Sequence, residues 1–433
     1  MKKIIEYKNE NIDYLFENNK FTTDYDIDLN IFIIWSNAKF KEKEIIADLS
    51  FVFEIVELAE IYWSKKNIDD NFHRLYGIAP NNNISGKRIE VGSGSFIAIV
   101  VKDKSPVYLY REDASKNNKI VNVNVVDKKQ LYREWVGGNY LIHSSDNLKE
   151  FFTNSPLLFG KDKTLEFCTE YCDSTVLKKI NKDLIGSNGW SSSKELFDVL
   201  NLSTQYVVLR GSENIEKNIS SQSGDVDVLC SNVSEFTAVA NAVNLWSSDN
   251  FFHVEIDNKK ILFDIRSTDD NYFDKKWSDK IIRDRVISES NIFIPRVDDY
   301  FFSHLYHAYI HKPYFFDKYI DRLSGLSSKI GIIDFKEKML INKKYGLYLL
   351  KGYLLANKYS ATIPRDLKVF INIKNMSSLQ KKNYTILYGR ILLLRLIELP
   401  FKITIFLKEM IKKNKMLFNL AIKVRDGLNK IWK

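Results

Sequence analysis

Cysteine is scarce in this chain of 433 residues: only Cys168, Cys172 and Cys230 occur. Cys168 and Cys172 would lie one helical turn apart, and no histidine or cysteine stands near them at zinc-site spacing. A disulfide-stapled framework is thereby excluded, and the composition reads as that of a reduced, cytoplasmic chain. Long apolar runs are missing too. No stretch of 18 uncharged apolar residues is present, which excludes a membrane-spanning helix. The opening Met1-Lys-Lys-Ile-Ile-Glu-Tyr-Lys has no apolar signal core. A general basic surface is also lacking. The net charge is +9, but residues 401–433 hold nine basic and two acidic residues, a local +7. The remainder is close to neutral, so no nucleic-acid partner is expected.

What is present begins with length. A chain this long exceeds one compact core, and two or three domains are expected. After a polar leader (1–28), short apolar strands alternate with helical stretches: Ile31–Trp35, Ser95–Val101, Val107–Tyr110 and Tyr140–His143 read as strands, and Lys41–Leu49 and Lys128–Trp135 as helices. That interleaving predicts an α/β sandwich over 29–160. Residues 161–200 read as a linker with helices, one of them Leu165–Lys179, and a Ser-rich loop (Ser191-Ser-Ser193) caps the next. A mixed-sheet core over 201–297 follows, then a helical domain over 298–400 that includes a helix at Leu340–Asn357. The expected class is therefore multidomain α/β with a C-terminal helical region.

The chemistry concentrates in residues 209–229. An apolar run (Tyr206-Val-Val-Leu209) leads through Arg210 into Gly211-Ser212. After twelve intervening residues comes Asp225-Val-Asp227-Val-Leu. In a strand, residues two apart share a face, so both carboxylates aim at one point. Such a pair repels itself unless a cation sits between. Mg²⁺ is the expected guest, because it takes oxygen ligands and shares its remaining positions with phosphates. A third acid, Asp264, lies in Ile261-Leu-Phe-Asp-Ile-Arg266, where a neighbouring strand would bring it beside the pair. Three acids can hold two Mg²⁺ or Mn²⁺ ions for an in-line phosphoryl displacement. Glycine at 211 permits close approach of a phosphate to the backbone, and the following helix start offers N–H groups. Arg266 shares the Asp264 face and is placed to neutralise transferring phosphate.

This ordered set resembles the DNA polymerase beta-type nucleotidyltransferase superfamily. The resemblance covers residues 203–268. It implies a nucleotidyltransferase-fold sheet in which Gly211 and Ser212, flanked by Arg210 and Arg266, bind donor phosphate. It further implies that Asp225 and Asp227 bind metal, and that Asp264 binds metal or acts as base. Segments around Phe263-Asp-Ile-Arg266, Trp277 and Leu305-Tyr306-His307 also resemble nucleotidyltransferase-like proteins of bacterial surface-polysaccharide clusters. The order of elements in 29–160, with Ser95-Phe-Ile-Ala-Ile-Val-Val and Leu141-Ile-His143-Ser-Ser-Asp146, is similar to nucleoside diphosphate kinases. That resemblance implies His143 as phosphoacceptor and Arg133 as a phosphate contact. Trp35-Ser36 replaces the family's lysine, so a ferredoxin-like fold without that activity is the expectation.

Beyond the core, Asp298–Tyr309 predicts a helix with His304, His307 and His311 on one face. They read either as cleft-lining groups, with Lys312, or as imidazoles packed among aromatics. After Pro400, apolar positions from Ile403 to Ile431 alternate with lysines at helical spacing. Residues 401–433 thus predict a basic amphipathic helix suited to an anionic membrane interface. The expected protein is a metal-dependent transferase, peripheral to the cytoplasmic membrane. It would move a nucleotidyl or phospho-alditol group from a nucleotide-linked donor to a glycan or lipid-linked glycan acceptor. The alternatives are protein or small-molecule nucleotidylation, and a non-catalytic nucleotide-binding scaffold.

Overall fold

The computed structural model describes residues 28–380 and 389, apart from 78–84, 113–117, 139, 169–175, 213–214, 222–223, 246–249 and 367. The leader, Tyr384–Leu399 other than residue 389, and the amphipathic segment 401–433 lie outside the described residues. The protein is α/β with mixed sheets and helices.

Strand β1 (Asp28–Ile34) is buried along its whole length, as its apolar run requires. A helix at Glu42–Val52 leads to β2 (Glu54–Tyr62), and β3 (Phe96–Asp103) lies between the two, antiparallel to both. The hairpin β4 (Tyr108–Glu112) and β5 (Asn118–Asn122) precedes a helix at Val123–Val136. Asn122 caps that helix by accepting from the Asn124 amide, and Gly137 at φ +71 ends it. Strand β6 (Ile142–Ser144) then returns to pair with β1. The covered face packs Phe32, Ile34, Ile45, Leu49, Ile99, Val125 and Tyr132 into one core.

Two local expectations are corrected. Leu165–Lys179 is not one helix. A helix ends at Phe167, and Lys178–Asn181 forms β7, parallel to β2. This edge strand is polar and exposed, so it carries no period-2 alternation for a reader to find. Leu340–Asn357 is two helices, Phe335–Ile341 and Tyr345–Ala356. Between them the Asn342 side chain accepts from the Lys344 amide and competes with helical bonding.

The second sheet contains β8 (Tyr206–Arg210), β9 (Asp225–Cys230), β10 (Val243–Asn244), β11 (Phe251–Ile256) and β12 (Lys259–Ser267), in the order β10-β11-β12-β9-β8. β8 is antiparallel to β9, whereas β12 is parallel to it. β11 and β12 join through Asp257 and Asn258, both at positive φ, the conformation of a tight two-residue hairpin. The Ser193–Ser203 helix begins at Ser192, whose hydroxyl accepts from the Glu195 amide at 3.2 Å.

The described residues form two compact units, one drawn from 1–243, 251–269 and 278–296, the other from 244–250, 270–277 and 297–433. Both five-stranded sheets belong to the first, save Asn244 of β10, which falls in the second. Within it Arg74, on the Ile68–Leu75 helix, is wholly buried. It donates to the carbonyls of Ile185, Ala238 and Val239 and to the Ser187 hydroxyl at 2.7–2.9 Å. The second unit is helical and centred on aromatics: Trp277 and Tyr353 both donate to Asp299, and Phe302 stacks on Tyr353 at 3.8 Å. Among the described residues no helix is long and apolar enough to cross a membrane.

Candidate active site

The parallel pairing of β12 with β9 sets Asp264 directly opposite Asp227. The antiparallel pairing of β8 with β9 sets Arg210 opposite Asp227 from the other side. Three charged side chains thus line up across three neighbouring strands. They sit where Val226 and Val228 of β9 are buried on one face and the alternation turns Asp225 and Asp227 to the other.

Each of the two facing acids carries an arginine. Arg210 embraces Asp227 with two bonds, Nε to Oδ2 at 3.0 Å and Nη2 to Oδ1. Arg266 reaches Asp264 Oδ2 with Nη2 at 3.0 Å and Nε at 3.3 Å. The Asp264 Oδ1 atom is buried and has no hydrogen-bond partner among the described residues. Burial pushes the Asp264 carboxyl up to about 6; Arg266 pulls it down, and the neighbouring Asp227 charge adds to the rise.

Asp225 occupies the exposed start of β9. The structure therefore brings Asp227 and Asp264 together and leaves Asp225 at the rim. Among the described residues no three His, Cys, Asp or Glu side chains gather as a metal cluster. The facing pair still fits a hard divalent cation: both ligands are carboxylates, and one buried oxygen lacks a bonding partner.

Gly211 follows Arg210 at φ +77. Among the described residues a Cβ built there would meet nothing within 4 Å, so backbone conformation rather than crowding by them demands glycine, and the turn is open on their side. Ser212 is buried next to it, and the following helix spans Ile215–Ser221. Glu216 of that helix accepts from the Ser193 hydroxyl.

The remaining candidates lie elsewhere. His143, on β6, packs its ring 4.9 Å from that of Tyr76, and its Nε2 is 3.4 Å from Asn154 Nδ2. Arg133 donates to the Ile142 carbonyl at 3.1 Å. In the second unit His304 is buried with Nδ1 2.8 Å from the Tyr300 carbonyl. His307 Nδ1 lies 2.9 Å from the Tyr272 hydroxyl, and His311 is buried 4.1 Å from the Tyr272 ring. These histidines pack among aromatics of their own unit, and Lys312 beside them is half-buried. The Arg210–Asp227 embrace went unread in the sequence. The one available signal was the position of Arg210 at the end of an apolar strand beside the Gly-Ser turn. No protein-family model, curated protein or solved structure matches the chain.

Proposed function

We propose that this protein is a metal-dependent phosphotransferase of nucleotidyltransferase type. It would transfer a nucleotidyl or phospho-alditol group from a nucleotide-linked donor to a surface-glycan acceptor. The observation that carries the reading is the row Arg210–Asp227–Asp264 across adjacent strands, next to the open Gly211 turn. The sheet, with a Gly-Ser turn after one strand, an Asp-x-Asp strand antiparallel to it and a third acidic strand parallel to that, supports the nucleotidyltransferase resemblance. With the helices between β2 and β3, the β4–β5 hairpin and the added strand β7 set aside, the N-terminal residues run β-α-β-β-α-β in the order β6-β1-β3-β2, which supports a ferredoxin-like reading of that part.

Asp227 and Asp264 would hold Mg²⁺ or Mn²⁺, with Asp225 at the rim as a further ligand for a second ion. When bound, the cation supplies charge neutralisation at the transferring phosphoryl group and lowers the pKa of an attacking hydroxyl. The open turn at Gly211 lets donor phosphate meet the backbone. Arg266, fixed beside Asp264, keeps positive charge where negative charge accumulates. Most of the rate enhancement then comes from positioning and electrostatics. The near-neutral charge outside 401–433 favours a glycan over a polynucleotide acceptor, and the basic amphipathic pattern of 401–433 favours work at an anionic membrane surface.

A panel of nucleotide-linked donors with Mg²⁺, assayed with wild type and Asp227→Ala, tests the chemistry. Loss of metal-dependent donor binding and turnover in the variant is expected; unchanged values reject the enzyme reading. Deleting 401–433 tests the placement. Sedimentation with anionic vesicles should fall for the truncated protein, and equal sedimentation removes the membrane assignment.

A further inference from the structure

The two facing acids are not equally open to a cation. Both oxygens of Asp227 are taken by the Arg210 fork, whereas Asp264 keeps Oδ1 clear of hydrogen bonds. A metal ion and a guanidinium compete for the same carboxylate lone pairs. An ion reaching the buried Asp264 Oδ1 breaks no hydrogen bond at that atom. To bridge onto Asp227 it must evict Arg210, whose side chain is only 10% exposed and would be left with a poorly hydrated charge.

The eviction is favoured when a donor anion receives the guanidinium. Arg210 is bonded in sequence to Gly211, the glycine of the open turn proposed to meet donor phosphate. A planar guanidinium fork fits phosphate as well as carboxylate. The charges agree. Asp225, Asp227 and Asp264 with Arg210 and Arg266 sum to −1. Two divalent ions alone would carry the site to +3, and a nucleotide diphosphate or triphosphate returns it toward neutrality.

On that reading of the site, we propose that Arg210 is a resident counter-ion that changes partners. With no donor bound it occupies Asp227; when a divalent ion takes the carboxylate, Arg210 turns onto the donor's phosphate. Metal and nucleotide-linked donor therefore bind cooperatively, and the protein alone takes up metal weakly.

The test is titration of the full chain with Mn²⁺, followed by electron paramagnetic resonance, for wild type, Arg210→Gln and Arg210→Lys. Each is measured with and without inorganic pyrophosphate, after subtraction of the Mn²⁺–pyrophosphate equilibrium in solution. In the absence of pyrophosphate, Arg210→Gln should bind Mn²⁺ about tenfold tighter than wild type, the scale of an ordinary coupling between sites. Arg210→Lys, which keeps the charge but gives up the fork, should also bind tighter. This separates competition for oxygens from a general change in field. Pyrophosphate should tighten Mn²⁺ binding to wild type and lose that effect in Arg210→Gln. If neither variant binds Mn²⁺ tighter than wild type, the exchange is overturned while a metal site stands. If no form binds Mn²⁺ under either condition, the transferase reading falls and the exchange with it. Should Arg210→Gln not fold, the lysine variant decides alone.

Discussion

Arg210 stands directly opposite Asp227 in the antiparallel β8–β9 pair and bonds both of its carboxylate oxygens. On the far side of the same residue, Asp264 faces it from the parallel strand β12. The arrangement is a property of register. A slip of one residue in β9 would turn Asp227 into the core and bring Val226 or Val228 to the polar face. Those valines are fully buried, so the packing that hides them also fixes where the acids point.

Asp225 and Asp227 share a strand but not an environment, and their substitutions should part company in stability. Asp227→Asn weakens the partner of a nearly buried arginine and should lower unfolding stability by about 1–3 kcal/mol. Asp225, at the exposed start of β9, should tolerate asparagine within about 0.5 kcal/mol. Both variants should lose metal-dependent turnover, Asp227→Asn by about a hundredfold or more. Denaturant titration beside steady-state kinetics checks the pair. Equal destabilisation by the two changes contradicts the placement of Asp225.

At Gly211 the conformational and steric demands separate. Alanine there must adopt φ near +77, and the strain should destabilise the protein by about 1–2 kcal/mol. Asparagine accepts the left-handed region more readily, and the open space leaves room for its side chain, so Gly211→Asn should lose less. Both should weaken donor binding, because a Cβ now stands beside the turn. Thermal unfolding and binding isotherms together test this. Stability that falls equally in both would show that crowding, not backbone conformation, selects glycine.

The Asp264 carboxyl gives a pH signature in the metal-free protein. Its folded pKa, about 6, lies above the unfolded value near 3.8, so the folded state holds the proton more tightly. The cost of ionising it on folding is thus absent well below pH 3.8, grows between the two values, and is complete above pH 6. Two units correspond to about 3 kcal/mol as an order of magnitude. Asp264→Asn removes the titration, so the stability of the variant relative to wild type should rise as pH goes from 4 to 7.5. Urea unfolding at both pH values, with chelator present, measures it. A pH-independent difference would mean that Asp264 is ionised throughout.

The sequence displayed the strands that carry the chemistry because each is a short apolar run, with acids at period 2 in Asp225–Cys230 and a single acid in Ile261–Arg266. What it could not display was pairing. Nothing local in Ile261–Arg266 says that this strand runs parallel to Asp225–Cys230 in a register that puts Asp264 against Asp227. Periodicity also failed where it was absent: Lys178-Lys-Ile-Asn181 is an edge strand held by its neighbour β2 rather than by a buried face. The break at Asn342 depends on one side-chain bond, too local to interrupt an apolar helical pattern. For the histidines at 304, 307 and 311, helical spacing gave the shared face. Only tertiary packing showed Tyr272 against it.

Arg74 shows how much of the site's support stands outside it. The residue is wholly buried, with its charge spread over four oxygen acceptors and its guanidinium 6.0 Å from the Trp190 ring. Two acceptors are carbonyls of the Val233–Ala240 helix near its C-terminus, where a cation is favoured, and a third belongs to the loop at Ile185. The fork therefore joins the N-terminal sheet's helix to one that follows the Asp-x-Asp strand. Methionine fills similar volume but leaves these acceptors with no donor, and Arg74→Met should cost about 3 kcal/mol or more. Lysine reaches fewer acceptors from a single point, so Arg74→Lys should recover only part of the loss. Both sheets lie essentially within one compact unit, so in Arg74→Met the denaturant transition of that unit should move to lower denaturant, followed by backbone amide exchange in Ile68–Leu75 and Val233–Ala240 together. An Arg74→Met midpoint equal to that of wild type, or exchange that changes in only one of the two helices, would show that Arg74 merely fills space between them.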